Sequence, residues 1–141
     1  MVEPARRRIA VVTDSTADLP QDMAQEYGIH VMPQTLILDG RTWRDGVDIH
    51  PAAFYELLKS SRDFPSTSQA TAGEFELLFR EASRGVEGVV AVLVAGSLSG
   101  TINSALVAAA NLPDVPIEVI DSRAASMQQG FIALAAGRAA A

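Results

Sequence analysis

Cysteine is absent from this sequence, lysine occurs once, histidine twice, and aromatic residues make up only 6%. Without cysteine there is no disulfide framework, no thiolate nucleophile and no cysteine-ligated metal site. No apolar run approaches the roughly 20 residues that cross a bilayer, and the N-terminus carries no signal-peptide core, so a cytoplasmic protein is expected. Basic charge is also scarce. Seventeen Asp and Glu against eleven Lys and Arg leave a net charge of −6, which repels nucleic acid and anionic membrane surfaces. The one basic cluster, Arg6-Arg7-Arg8, directly precedes the first apolar run and reads as a solvated flank.

Hydrophobic residues form 48% of the 141 positions, enough for the core of one domain, and no repeat or low-complexity linker divides the chain. The organising stretch is Val89-Val90-Ala91-Val92-Leu93-Val94-Ala95, followed by Gly96-Ser97-Leu98-Ser99-Gly100-Thr101. A continuous, largely β-branched run of this kind is a central parallel strand, and the small hydroxyl-bearing loop after it opens a helix over Thr101–Asn111. Ser97, Ser99 and Thr101 are each candidate caps for that helix, whose first-turn N–H groups favour an anion.

Further strands are expected at Arg8–Thr13, Ile29–Leu38 and Pro116–Ile120. Asp39-Gly40 signals a hairpin returning through Thr42-Trp43-Arg44. Helices are expected from Leu19-Pro20 to Gly28, and after His50-Pro51 with Phe54, Leu57 and Leu58 on one buried face. Another follows Thr71, where Glu74 completes a capping box and Phe75, Leu78 and Phe79 point inward. Ser60 to Gln69 reads as a polar loop. An Ala-rich helix over Gly130–Ala141 has no stop signal, which suggests a longer protein. The alternation predicts an α/β domain over 1–141, a mainly parallel sheet flanked by helices in three α/β/α layers.

Three strand ends then fall on one edge of the sheet, where open α/β folds place their ligands: Asp14-Ser15-Thr16, Gly96 to Thr101, and Asp121-Ser122. The Thr67-Ser68 loop is long enough to reach them. The Gly96 loop is not a phosphate loop, because no lysine follows its second glycine, and not a nucleophile elbow, because Leu98 stands where the serine belongs. His30 lies within a strand and His50 before a proline, so neither serves readily as a base. Asp14, Asp18, Asp45, Asp48 and Asp121 lack the spacing of an ion-binding loop and are explained by capping and turns. No metal or cofactor is called for. What remains is a set of hydroxyls and amides suited to holding a carboxylate or phosphate; an acyl or phosphoryl transferase using Ser97 or Ser99 with Asp14 is the alternative.

Taken in order, Asp14-Ser15-Thr16-Ala17-Asp18-Leu19-Pro20, Thr67-Ser68-Gln69, Leu98-Ser99-Gly100-Thr101 with Asn103-Ser104-Ala105, and Asp121-Ser122 resemble the DegV family of bacterial fatty-acid-binding proteins. The resemblance covers essentially the whole chain. It implies the N-terminal α/β domain of a two-domain, non-enzymatic protein that holds the head group of a long-chain fatty acid, with the tail in a tunnel that a C-terminal domain completes. It further implies presentation of the bound acid to a separate fatty-acid kinase. By the same resemblance Thr67 donates its hydroxyl to the carboxylate. The loop before Leu98 supplies a second hydroxyl and backbone amides, with Ser68, Gly96, Ser99, Gly100, Thr101, Asp14, Ser15 and Thr16 around it. The family often carries serine at the positions of Ala95 and Gly96, so Ser97 or the Gly96 amide is expected to stand in.

Overall fold

The computed structural model describes residues 8–141. Four apolar segments, β1 (Ile9–Asp14), β2 (Ile29–Met32), β6 (Gly88–Leu93) and β7 (Ile117–Asp121), form a wholly parallel sheet in the order β2-β1-β6-β7. The two inner strands are buried on both faces, as the unbroken hydrophobicity of Val89–Leu93 requires. Ala10 and Val12 face one side, where they pack with Phe75 and Phe79 of α3 (Ala72–Ala82) and with Ala105 and Ala108 of α4 (Thr101–Ala110). Val11 faces the other, against Leu134 of α5 (Ser126–Ala139) and Met23 of α1 (Gln21–Glu26). Three layers result. Phe75 and Phe79 are fully buried with ring centroids 5.5 Å apart, and each contributes about 1.5–3 kcal/mol by leaving water.

The expected strand over Ile29–Leu38 is two strands in two sheets. Pro33 has no N–H for the parallel ladder, so β2 ends at Met32 and the chain turns away. Thr35–Leu38 becomes β3, the middle of a small antiparallel sheet with β4 (Arg41–Arg44) and β5 (Ser66–Ser68), in the order β4-β3-β5. Asp39 (φ 49°) and Gly40 (φ 71°) both take the left-handed conformation that a two-residue hairpin needs, as Asp39-Gly40 signalled. β5 corrects the polar-loop reading of Ser60 to Gln69. Ser66-Thr67-Ser68 carries no hydrophobic alternation, and its strand form comes from pairing with β3, Thr67 opposite Leu36.

Two helices also differ from expectation. In α2 (Pro51–Ser60) no residue is buried: Phe54 and Leu58 are half-buried and Leu57 is 38% exposed, so the apolar face lacks a full partner among the described residues. α5 starts at Ser126, ahead of the expected Gly130, and that glycine lies inside the helix as a packing residue. A Cβ there would lie 2.8 Å from the Ala17 carbonyl oxygen, so its absence lets α5 approach the 3-10 turn Ser15–Ala17. The capping box at Thr71 and Glu74 is present with both of its hydrogen bonds. At α1, Pro20 is the N-cap, so the helix runs Gln21–Glu26 within the expected span from Leu19-Pro20 to Gly28. Arg6 and Arg7 lie outside the described residues, while Arg8 is exposed and paired with Glu87 at 2.7 Å.

Candidate functional site

The loops after the parallel strands are stitched together before any ligand is considered. Leu93 O accepts from Ser122 N–H at 3.1 Å, and Ala95 N–H donates to Ala124 O at 2.9 Å, which ties the end of β6 to the chain after β7. Asp14 ties β1 to the same rim. It is fully buried, its Oδ1 accepts from Thr16 N–H at 2.9 Å, and its Oδ2 accepts from Val94 N–H at 2.8 Å and Gln129 Nε2 at 3.1 Å. Three protein donors therefore occupy this carboxylate. Gln129 must turn its Nε2 toward Asp14, since the reverse orientation would oppose two acceptors; its Oε1 is left buried without a hydrogen-bond partner among the described residues.

Above this framework lies a cleft of about 430 Å³ between the strand-end loops and the small sheet. Thr16, Thr67 and Ser99 bring hydroxyls to its lining, Leu36 and Leu98 bring apolar surface, and Gln34 brings an amide. Thr67 reaches it because strand alternation puts Thr67 on the same face of β5 as its partner Leu36 on β3; Ser68, one position on, faces away. Ser15 lies behind the rim, its Oγ accepting from Gln34 N–H at 3.0 Å.

The Gly96 to Thr101 loop divides its residues between two roles. Ser99 lines the cleft, and Thr101 is fully buried beneath it with the two hydroxyl oxygens 2.8 Å apart. No side chain caps α4 at its cap position, Gly100; instead Ser99 Oγ accepts from Thr101 N–H at 3.2 Å. Gly100 leaves room for the Gln69 amide, whose Oε1 stands 2.5 Å from where a Cβ would be, and Gln69 Nε2 donates to Ser104 Oγ at 3.2 Å. Gly96 donates its N–H to Asp121 Oδ1 at 3.2 Å. Ser97 is exposed. Neither Gly96 nor Ser97 is on the cleft lining, so the structure brings Ser99, not Ser97, together with Thr67 and Thr16.

Sequence reasoning missed Gln34 and Gln129, both buried and both hydrogen-bonded to the framework. The only signal for Gln34 was the break at Pro33; Gln129 had none, being one polar residue in an Ala-rich segment. The histidines do not reach the cleft, although His50 lines an adjoining cavity of about 460 Å³ with Leu19, Ala24, Ile29, Val31 and Val47. Asp18 and Asp45 border both spaces. The other aspartates are turn and capping groups. Asp48 receives a hydrogen bond from the Arg44 guanidinium, which lowers its pKa to about 2, and Asp121 also accepts from Arg123 N–H at 2.8 Å. Among the described residues no group of three or more His, Asp or Glu could hold a metal ion, and no helix is long and apolar enough to cross a membrane.

Together these features define a class: a three-layer α/β domain whose strand ends and a small accessory sheet enclose a cleft lined by hydroxyls and bordered by Asp18 and Asp45. The chain belongs to the DegV family, whose model, described as "Uncharacterised protein, DegV family", matches residues 8–141. It is 40% identical over 133 residues to a DegV domain-containing protein of Caldanaerobacter subterraneus subsp. tengcongensis, covering 94% of this chain and 47% of that one. The structure is similar to a DegV family protein from Thermus thermophilus described for its fatty acid binding, with TM-score 0.85 and 37% identity over 93% of this chain and 46% of that one. It is likewise similar to DegV of Bacillus subtilis, described as a fatty acid binding protein, with TM-score 0.84 and 34% identity over 96% and 50% of the two chains. The chain thus spans about half the length of the relatives it matches.

Proposed function

We propose that this chain is a cytoplasmic fatty-acid-binding module whose cleft holds the carboxylate of a long-chain fatty acid. The observation that carries the reading is the convergence of the Thr16, Thr67 and Ser99 hydroxyls on one cleft, at whose border Asp18 and Asp45 stand and which no lysine, arginine or histidine lines among the described residues. Uncharged donors hold a carboxylate without forming a permanent ion pair, and Leu36 and Leu98 beside them suit the start of an acyl chain. The largely apolar cavity adjoining the cleft supports the same ligand class. So does the description of two relatives of similar fold as fatty acid binding.

Binding is favoured over acyl or phosphoryl transfer by the state of Asp14. A base for Ser97 or Ser99 must reach the hydroxyl, and Asp14 is fully buried, accepts from backbone and amide donors, and has no hydrogen bond to either serine among the described residues. In the complete protein, we assign to a second domain the closure of the acyl tunnel, a role supported by the incompletely covered face of α2 and by the greater length of the relatives. Presentation of the bound acid to a separate fatty-acid kinase extends the reading. Titration of the complete protein with a fluorescent long-chain fatty acid tests it: saturable binding competed by unlabelled palmitate or oleate is expected, and no saturable binding rejects it.

A further inference from the structure

We infer that Gln34 is a positioning residue that fixes the direction of a hydroxyl relay through Thr101, so that Ser99 presents its proton to an anionic head group. The inference rests on the carboxylate-binding reading above. Gln34 is 8% exposed, and its Nε2 donates to Thr101 Oγ1 at 3.1 Å. Its backbone is pinned on both sides: the N–H donates to Ser15 Oγ at 3.0 Å and the carbonyl accepts from Asp45 N–H at 2.9 Å. At the cleft wall the side-chain amide turns its donor to Thr101.

Thr101 is fully buried, and among the described residues the one acceptor its hydroxyl proton meets is Ser99 Oγ, 2.8 Å away. A buried hydroxyl proton without an acceptor costs about 1–3 kcal/mol, so Thr101 donates to Ser99 and not the reverse. Ser99 Oγ also accepts from Thr101 N–H at 3.2 Å. Both acceptor positions of Ser99 are then filled, and its own proton is left to the cleft that Ser99 lines. An acceptor in place of the Gln34 amide would draw the Thr101 proton downward. Ser99 would then donate inward to Thr101 and turn lone pairs toward the ligand, which repels a carboxylate.

The test is a mutant cycle on the complete protein at neutral pH, read by titration with a fluorescent long-chain fatty acid. Ser99→Ala is expected to weaken binding about five- to twentyfold, and Gln34→Glu at least about tenfold. Because the effect passes through Thr101, the penalty of Gln34→Glu should be at least about threefold smaller in a Thr101→Val background. Charge repulsion alone would give the same penalty in both backgrounds, and that result overturns the relay. Should Gln34→Glu fail to fold by circular dichroism, Thr101→Val and Thr101→Ser decide: the valine variant is expected to bind several-fold more weakly and the serine variant to restore binding, whereas equal affinities overturn the relay. If wild type binds and Thr67→Val weakens it while the cycle is additive, the relay falls and the head-group reading stands. If wild type binds no fatty acid, both fall.

Discussion

The Val94 N–H donates to Asp14 Oδ2 at 2.8 Å, joining the ends of β1 and β6 across 80 positions of sequence inside a fully buried site. The parallel ladder alone sets the two strands side by side. This bond, with those to Thr16 and Gln129, sets how the loops beyond them leave the sheet. Asp14→Asn keeps the shape but replaces an acceptor by an NH2 group facing a backbone N–H. Destabilisation of about 2–4 kcal/mol is expected, read as a lower urea midpoint with an unchanged slope. A midpoint within error of wild type would remove Asp14 from the framework.

Thr67 sits on an exposed strand and makes few demands on stability, so its substitution isolates the proposed ligand contact. Thr67→Val retains β-branching and the pairing with β3 while losing the donor. Fatty-acid affinity should fall by about 1–3 kcal/mol with little change in melting temperature. Undiminished affinity would move the head group away from β5.

Gly130 predicts a purely structural outcome. A Cβ at that position would lie 2.8 Å from the Ala17 carbonyl oxygen, a backbone atom that moves only with the whole 3-10 turn. Gly130→Ala should therefore lower stability by about 1–3 kcal/mol despite alanine's better helix propensity, and calorimetry should show it as a reduced melting temperature.

The turn before α2 carries the clearest pH signature. The Arg44 side chain lowers the Asp48 pKa from 3.8 to about 2. A carboxylate whose folded pKa is depressed stabilises above its unfolded value and loses that contribution as pH falls through the folded one. The margin of wild type over Asp48→Asn should be constant above about pH 5, shrink steadily as the pH falls toward about 2, and disappear only below that. It should also be small and shrink with salt, because both side chains are solvated. A margin that widens on acidification would contradict this pairing.

The parallel sheet and its layers were legible because Ile9–Val12 and Val89–Leu93 are too apolar to expose either face, and because Phe75 and Phe79 repeat at helical spacing. The small sheet was not legible in full. Thr67 belongs to a strand by virtue of the partner that Leu36 offers, a long-range fact that no local pattern in Ser66-Thr67-Ser68 encodes. The apolar stripe of α2 was read correctly as a stripe and incorrectly as buried, since periodicity reports what a helix could cover and not whether a neighbour is present.

At the site, the loops were legible and the division of labour within them was not. Thr16, Thr67 and Ser99 line one cleft, with Asp14 and Ser15 off its lining, and Thr67 arrives there on a strand of the small sheet and not on a loop. Ser97 and Ser99 stand two positions apart, and the turn, closed by Leu98 and Ser99 N–H donating to Ala95 O, decides which of them meets the cleft. Gln34 is invisible to motif reasoning because its side chain acts on Thr101, 67 positions away.

Native mass spectrometry of the complete protein, isolated without added lipid, tests the central claim most directly. A co-purifying species with the mass of a long-chain fatty acid is expected, depleted in Thr67→Val and restored in Thr67→Ser. A wild-type protein free of acyl ligand that also fails to take up oleate, or one whose acyl ligand is retained equally in Thr67→Val, would contradict it.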